Sequence, residues 1–220
     1  MAKTILTENQ TNLLFAISGD KEICRCFYLT GGTALAEFYL HHRLSEDLDF
    51  FSEDEFDVQA INVFFKKNKI KLGFKKIDYQ QSFNRNLFFI HFDADIVKTE
   101  FTYFPFAEIQ QKTEIGNLRI DGALDIAVNK IFTIYQNPRA RDFIDLYCLH
   151  NEFGFQITDL AKKARIKFDV PIDYLQLGSN FLLAAEVKDC PVMKIKINRK
   201  DWQNYFINEA EKFKSKIIKN

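Results

Sequence analysis

The residues that most constrain this chain lie in one stretch, CFYLTGGTALAEFYLHHRLSEDLDFFS, residues 26–52. Residues 26–29 are an apolar run leading into Gly31 and Gly32, which carry no Cβ, and Thr33-Ala34-Leu35-Ala36-Glu37 then reads as the opening of a helix. The pattern predicts a strand, a tight turn and a helix start whose first backbone N–H groups lack intrahelical partners, with Thr33 able to hydrogen-bond there. A second strand over residues 47–51 puts Asp47 and Asp49 on one face and Leu48 and Phe50 on the other, because strand side chains alternate. Each half of the pattern is common alone. Their combination places two carboxylates beside an apolar core, where ionised acids need compensation and a divalent cation can supply it. Acids for a metal next to a turn for a phosphate point to phosphoryl or nucleotidyl transfer.

Further along, residues 96–104 form a predicted strand in which Glu100 sits among aromatic neighbours, where an idle carboxylate would be costly. If this strand lies beside the one bearing Asp47 and Asp49, Glu100 completes a set of three acids. Asp95 is the rival third acid but lies in the predicted turn at residues 93–95. Arg43, in the linker between the helix and the second strand, is a candidate for phosphate contact or for pairing with Asp47 or Asp49. Neither His41 nor His42 has a metal-ligand partner at a useful spacing.

The rest of the chain supports an α+β reading. Thr7 and Gln10 have capping-box spacing ahead of a short helix ending near Gly19-Asp20. Residues 52–69 read as a helix with an apolar stripe through Phe56, Ala60, Ile61, Phe64 and Phe65. Residues 71–83 and 87–92 read as strands separated by Asn84-Arg85-Asn86, and Pro105 ends the strand that carries Glu100. From residue 117 the pattern becomes helical: residues 121–135, then a helix opening at Pro138 or Arg139, then residues 157–166, a helix from about Pro171, and residues 202–218 with Phe206, Ala210, Phe213 and Ile217 on one side. Residues 188–200 favour a short extended piece. Arg141 and Asp145, four apart, are expected to form an intrahelical ion pair. The expected organisation is a mixed α/β domain over residues 1–115 and a helical domain over residues 116–220 that closes a nucleotide cleft bearing Lys130.

Thirty basic and thirty acidic residues cancel, so overall charge is no evidence for a nucleic-acid-coating protein. The sequence MAKTILTENQ lacks the apolar core of a secretion signal and no run is long enough to span a membrane, so a cytoplasmic location is expected. Cys24-x-Cys26 has neither redox nor zinc spacing, and reduced thiols are the expectation for all four cysteines. The 24 phenylalanines suggest aromatic-rich cores, and any further role for them is an apolar contact surface.

LTGGTALAEFYLHHRLSEDLDFF, residues 29–51, closely resembles the signature of the AbiEii/AbiGii toxin family of the nucleotidyltransferase superfamily, in which a glycine pair precedes a D-x-D strand. IDGALDIAVNKIFTIYQNPRARDFIDLYCLH, residues 120–150, is similar to that family's second block, where a lysine-bearing helix precedes an R-D-x-x-D-L helix. The resemblance implies a polymerase-beta-like nucleotidyltransferase domain followed by a C-terminal helical bundle. It implies that Asp47 and Asp49 bind Mg2+ and that Glu100, as third acid, assists deprotonation of the attacking hydroxyl and contributes to the metal site. The family more often has aspartate at that third place, and KTEF departs from it. By the same likeness Lys130 would approach the nucleotide phosphates, with Asp145 a supporting acid and Arg141-Asp142 part of the same block; on physical grounds Gly31 and Gly32 let backbone approach the triphosphate, N–H groups from Thr33 onward meet its oxygens, and Arg43 is a further candidate for the pyrophosphate charge. The implied reaction moves a nucleoside monophosphate from a nucleoside triphosphate to a hydroxyl acceptor, RNA such as tRNA among them. The implied context is the toxin of a toxin–antitoxin or abortive-infection pair with a cognate antitoxin partner. The alternative is a catalytically silent member of the same fold that binds nucleotide or a protein.

Overall fold

A computed structural model describes the backbone of residues 4–217 and the side chains of residues 4–213. The chain divides into two compact units, one made of the residues up to Tyr39 with Leu44–Gly122, the other of Leu40–Arg43 with the chain from Ala123 onward.

The first unit opens with helix α1 (Glu8–Ser18), whose start is held by the expected capping box: the Thr7 hydroxyl accepts from the Gln10 backbone, and the Gln10 side chain returns the bond. Asp20 caps a short helix α2 (Lys21–Cys26), which takes residues assigned from sequence to the first strand; the strand β1 is Tyr28–Thr30. Gly31–Leu35 is helix α3 and continues as a π-helical turn over Ala36–Leu40. Strand β2 (Asp47–Ser52) follows as predicted. Helix α4 (Val58–Leu72) starts later than the sequence pattern suggests because the Asp57 carboxylate caps the Gln59 amide, and it runs on until Gly73, at φ 73°, stops it. Residues 71–72 are therefore helical, and the next strand, β3, is only Lys76–Ser82.

Strands β3 and β4 (Arg85–His91) form a hairpin whose register pairs Ser82 with Arg85, so Phe83 and Asn84 alone make the turn. Arg85 and Asn86, read from sequence as turn residues, belong to the sheet. Strand β5 (Ile96–Tyr103) matches its prediction. Two short strands, β6 (Thr113–Ile115) and β7 (Leu118–Ile120), occupy a stretch where the sequence gives little strand signal, and Gly116 at φ 63° serves their turn. The seven strands run in the order β3-β4-β5-β2-β1-β7-β6, a mixed sheet with β1/β7 and β2/β5 parallel and the other pairs antiparallel.

Register sorts the side chains of this sheet into two populations. Leu48 lies opposite Thr99 and Phe50 opposite Phe101, and on β4 Phe88 faces Thr99 and Ile90 faces Val97. That face is buried with Ile61, Phe64 and Phe65 of α4, and its rings pack as Phe50 on Phe101 (centroids 5.2 Å apart) and Phe65 on Phe88 (5.2 Å). Fully burying one such ring contributes about 1.5–3 kcal/mol, enough for the aromatic face to fix the register of the central strands. The parity of β2 then turns Asp47 and Asp49 to the other face.

The second unit is helical: α5 (Ala123–Gln136), α6 (Ala140–Phe153), α7 (Ile157–Phe168), α8 (Tyr174–Leu182) with a 3-10 turn Leu183–Ala185, and α9 (Arg199–Ile217). The fourth of these begins at Tyr174, not near Pro171, because Asp173 caps it. Phe143, Phe181, Trp202, Phe206 and Phe213 form the aromatic centre of its core. Ile217, expected to extend that apolar side, lies outside the described side chains. Residues 188–198 are mostly irregular, and Met193 makes an isolated antiparallel bridge with Arg43 while the Lys194 amide bonds the His42 carbonyl. Among the described residues, no helix is long and apolar enough to cross a membrane.

Candidate active site

The polar face of the first unit's sheet is built by register. Asp49 lies opposite Glu100 on β5 and opposite Thr30 on β1, Asp47 lies opposite Lys98, and Leu87 of β4 lies opposite Glu100. The sequence expectation that the Glu100 strand adjoins the Asp47-Asp49 strand is met. Asp47 and Asp49 are half-buried on this face, within reach of solvent, while Glu100 is only 4% exposed.

The glycine turn serves the acids directly. Gly31 takes φ 73°, a conformation that L side chains rarely adopt, and a Cβ placed there would collide with Asp49 Oδ2 and stand 3.2 Å from its Cγ. Asp49 thus rests on the bare backbone at Gly31. Thr33 is fully buried, and its hydroxyl donates to the Asp47 carbonyl oxygen. Its bond is to the strand that carries the acids, and the position preceding the helix belongs to Thr30, which makes no side-chain cap. The Thr30 hydroxyl donates instead to Asp121 Oδ2 at 2.6 Å, and the Tyr39 hydroxyl donates to the Asp121 carbonyl at 2.9 Å.

Two cations attend this face. Lys98 Nζ lies 2.7 Å from Asp47 Oδ2, with both side chains about a quarter exposed. Arg85 grips Glu100 with a two-pronged bond, Nε to Oε1 at 2.7 Å and Nη2 to Oε2 at 2.5 Å, and the Thr102 hydroxyl adds a bond to Oε1 at 2.6 Å. Burial pushes the Glu100 carboxyl up, but these hydrogen bonds and the Arg85 charge outweigh it and hold the group below the ordinary glutamate value. Arg43 belongs to the second unit, where it bonds Asp145. Asp95, the rival third acid, accepts a bond from Asn9 Nδ2 at 2.6 Å, in keeping with a turn position.

The residues expected to serve phosphate from the helical half form a single cluster within the second unit. Asp145 is fully buried, and its carboxylate meets Arg43 Nε at 2.6 Å, Arg43 Nη2 at 2.8 Å, Lys130 Nζ at 2.8 Å and His42 Nε2 at 2.8 Å. Lys130 also meets Asp142 at 2.7 Å, and Arg139 meets the other oxygen of Asp142 at 2.9 Å. Desolvation pushes the Asp145 carboxyl up, but Lys130 and Arg43 hold it well below the usual carboxylate range. Burial lowers the Arg43 guanidinium and its pairing with Asp145 more than restores it. The intrahelical pair expected between Arg141 and Asp145 is not what Asp145 makes: its side chain faces the buried side of α6 and meets Arg43, Lys130 and His42. Burial beside Asp145 pushes the Cys148 thiol up to about 12, so it is no nucleophile at neutral pH.

The sequence reading missed Arg85, Lys98, Thr102, Thr30 and Asp121 on the first unit's face and His42 in the second. Arg85 could be found by placing the hairpin turn two residues earlier, and Lys98 by its parity with Glu100.

Among the described residues, no three His, Cys, Asp or Glu side chains are grouped as a metal cage. The chemistry of the face nevertheless suits magnesium. Its donors are carboxylate oxygens only, and Mg2+ commonly takes one or two carboxylates and completes its shell with water and substrate phosphate. The missing Cβ of Gly31 leaves room on this face for the Asp49 carboxylate.

Comparison with known proteins agrees with the fold. The structure of JHP933 from Helicobacter pylori superimposes with a TM-score of 0.60 over 97% of this chain and 95% of that one, at 20% identity. MenT4, a nucleotidyltransferase toxin of Mycobacterium tuberculosis H37Rv, is similar with a TM-score of 0.53 over 86% of this chain and 75% of its own, at 15% identity. In sequence, the Aquifex aeolicus (strain VF5) protein aq_aa25 is 30% identical over 146 residues, 66% of this chain and 68% of that protein. Residues 12–215 match the family described as "Nucleotidyl transferase AbiEii toxin, Type IV TA system", and the chain belongs to that family.

Proposed function

We propose that this AbiEii-family chain is a Mg2+-dependent nucleotidyltransferase that moves a nucleoside monophosphate from a nucleoside triphosphate to a hydroxyl acceptor. The acceptor we propose is RNA such as tRNA, and the setting a toxin–antitoxin pair in which a cognate antitoxin restrains the enzyme. The observation that carries the reading is the pair Asp47 and Asp49 on the solvent-reachable face of the sheet, with Asp49 seated over a glycine that no other residue could replace without striking it.

In this reading Asp47 and Asp49 hold Mg2+, which when bound supplies charge for the attacking and leaving oxygens of an in-line displacement. The acceptor oxygen forms its bond to the α-phosphorus as the bond from that phosphorus to the pyrophosphate oxygen breaks. Glu100 is the group that takes the hydroxyl proton. Gly31 and Gly32 let backbone approach the triphosphate, while Thr33 acts by tying the helix to the Asp47 strand. Within the second unit, Lys130 is the candidate for phosphate contact. The ion pairs of its cluster join three cations, Arg43, Lys130 and Arg139, to two acids, Asp142 and Asp145, an excess of one positive charge suited to phosphate. Arg43 and Asp145 hold Lys130 in place.

The test is incorporation of α-labelled nucleoside triphosphates into total RNA and into protein with Mg2+. Wild type should label RNA, and Asp47→Asn or Asp49→Asn should lower the rate by roughly a hundredfold or more while leaving the fold intact. Labelling at the wild-type rate by either variant would refute the mechanism. A second reading, nucleotide binding without turnover, draws on the engagement of Asp47 by Lys98 and of Glu100 by Arg85; metal-dependent nucleotide binding with no labelling of any acceptor would select it.

A further inference from the structure

Glu100 and Asp47 differ in what they need. The Glu100 side chain is 5% exposed and cannot reach water to shed its charge, whereas the Asp47 side chain is 23% exposed. A buried carboxylate without compensation is costly, so Glu100 requires a compensating cation, whichever one supplies it. Arg85 meets that need from an asymmetric position: its side chain is half exposed, so the guanidinium can exchange the carboxylate for water or phosphate at modest cost. The bonding on Glu100 is asymmetric too. Oε1 accepts from Arg85 Nε and from Thr102, while among the described residues Oε2 accepts from Arg85 Nη2 alone. Thr102 would keep Glu100 oriented if the guanidinium left.

The inference rests on the metal-site reading given above. We infer that Arg85 is a positioning residue that acts as a displaceable counter-cation: it neutralises and orients Glu100 while no divalent ion is bound, and yields it when an ion enters at Asp47 and Asp49. Glu100 and Asp49 are cross-strand neighbours, so an ion held by Asp49 and the guanidinium held by Glu100 compete for the same patch of negative charge. Like charges at that separation repel, and the guanidinium should therefore set the affinity of the metal site. Lys98 acts on the same site through its 2.7 Å hydrogen bond to Asp47 Oδ2, so its effect is separate from that of the Arg85–Glu100 pair.

The experiment is a titration of the purified full chain with Mn2+ alone, following free ion by electron paramagnetic resonance, for wild type, Arg85→Gln, Arg85→Lys, Glu100→Gln and the Arg85→Gln/Glu100→Gln double variant. Melting curves establish that each remains folded. Arg85→Gln should bind Mn2+ about tenfold more tightly than wild type, the order of effect for removing one unit charge near a dication in a largely solvated site. The gain should disappear in the Glu100→Gln background, since the guanidinium is then no longer held at the acids. Arg85→Lys keeps the charge but loses the fork, and should fall between wild type and Arg85→Gln; should Arg85→Gln fail to fold, this variant carries the test. A purely structural Arg85 would move the melting curves and leave Mn2+ affinity within about twofold of wild type, and that result overturns the inference alone. So does a gain of equal size in the presence and absence of Glu100. Absence of Mn2+ binding by wild type overturns the metal-site reading together with it.

Discussion

Replacing Asp145 by Asn tests whether the second unit is held together by its buried charge cluster. The change keeps the volume and removes one negative charge. It also replaces a carboxylate that accepts from Arg43 twice, from Lys130 and from His42 with an amide whose NH2 end must face some of those donors. Asp145 is wholly buried and Arg43 nearly so, so water cannot easily substitute. Breaking a buried pair by removing one partner costs about 3–5 kcal/mol. Lys130 keeps its bond to Asp142, which argues for the lower end, about 3 kcal/mol. For a chain of this size each kcal/mol lowers Tm by about 2–4 °C, so the expected drop is about 6–12 °C. Circular dichroism melts of wild type and Asp145→Asn read it directly. Asp47→Asn, at a partly exposed pair, is the control and should cost about 1 kcal/mol or less. A drop below about 2 °C for Asp145→Asn would refute the reasoning, because it would mean that Arg43 and Lys130 find equivalent solvation without the acid.

Gly31→Ala should be more damaging to activity than to folding: its φ of 73° costs about 1–2 kcal/mol in strain, and the new methyl displaces the Asp49 carboxylate. Nucleotide incorporation should fall at least as far as in Asp49→Asn, and near-wild-type activity would show that Asp49 does not depend on that clearance. Acid should destabilise the chain through Asp145 and Glu100. Both have folded-state values below their unfolded ones, so their contribution is full above the unfolded carboxylate range and is lost as pH falls through it toward the folded values. Urea midpoints followed downward from neutral pH should fall steeply in wild type and less steeply in Asp145→Asn, and parallel profiles would deny Asp145 its part. Phe83→Gly should stabilise the β3–β4 hairpin by about 0.5–1 kcal/mol, since Phe83 is almost fully exposed and takes φ 52° at the first turn position, where glycine is favoured. A lower urea midpoint for this variant would mean that the exposed ring makes a contribution of its own.

What was legible in the sequence follows from how local each signal is. The α1 capping box, the Asp-x-Asp strand and the helices of residues 123–168 are each written in neighbouring residues and emerge nearly as expected. Strands β6 and β7 were not legible because three residues cannot display a period; they exist by pairing, β7 with β1 and β6 with β7. The start of α4 was misplaced because Ser52-Glu53-Asp54-Glu55 has helix-opening composition while the Asp57 cap, a single side-chain bond, decides the boundary.

At the site, residue type was legible and partnership was not. Parity within β2 suffices to put Asp47 and Asp49 together, and the apolar setting of Glu100 marks it as compensated. Neither says by what. The compensating group, Arg85, is fixed by a two-residue turn and a seven-residue register, so moving the turn by one residue would carry its side chain to the aromatic face. The same limit hid a partner of Arg43, which is close in sequence to Asp47 yet joins Asp145, more than a hundred residues away. The bridge from Arg43 to Met193 and the Lys194 bond to His42 hold that segment to the second unit. A cation is free to pair with any acid its backbone brings near, and its position in the fold, set by apolar packing elsewhere, chooses the partner. Asp47 and its partner Lys98 are each about a quarter exposed, whereas Asp145 and Arg43 are buried together, so burial separates the two acids more plainly than their sequence neighbours do.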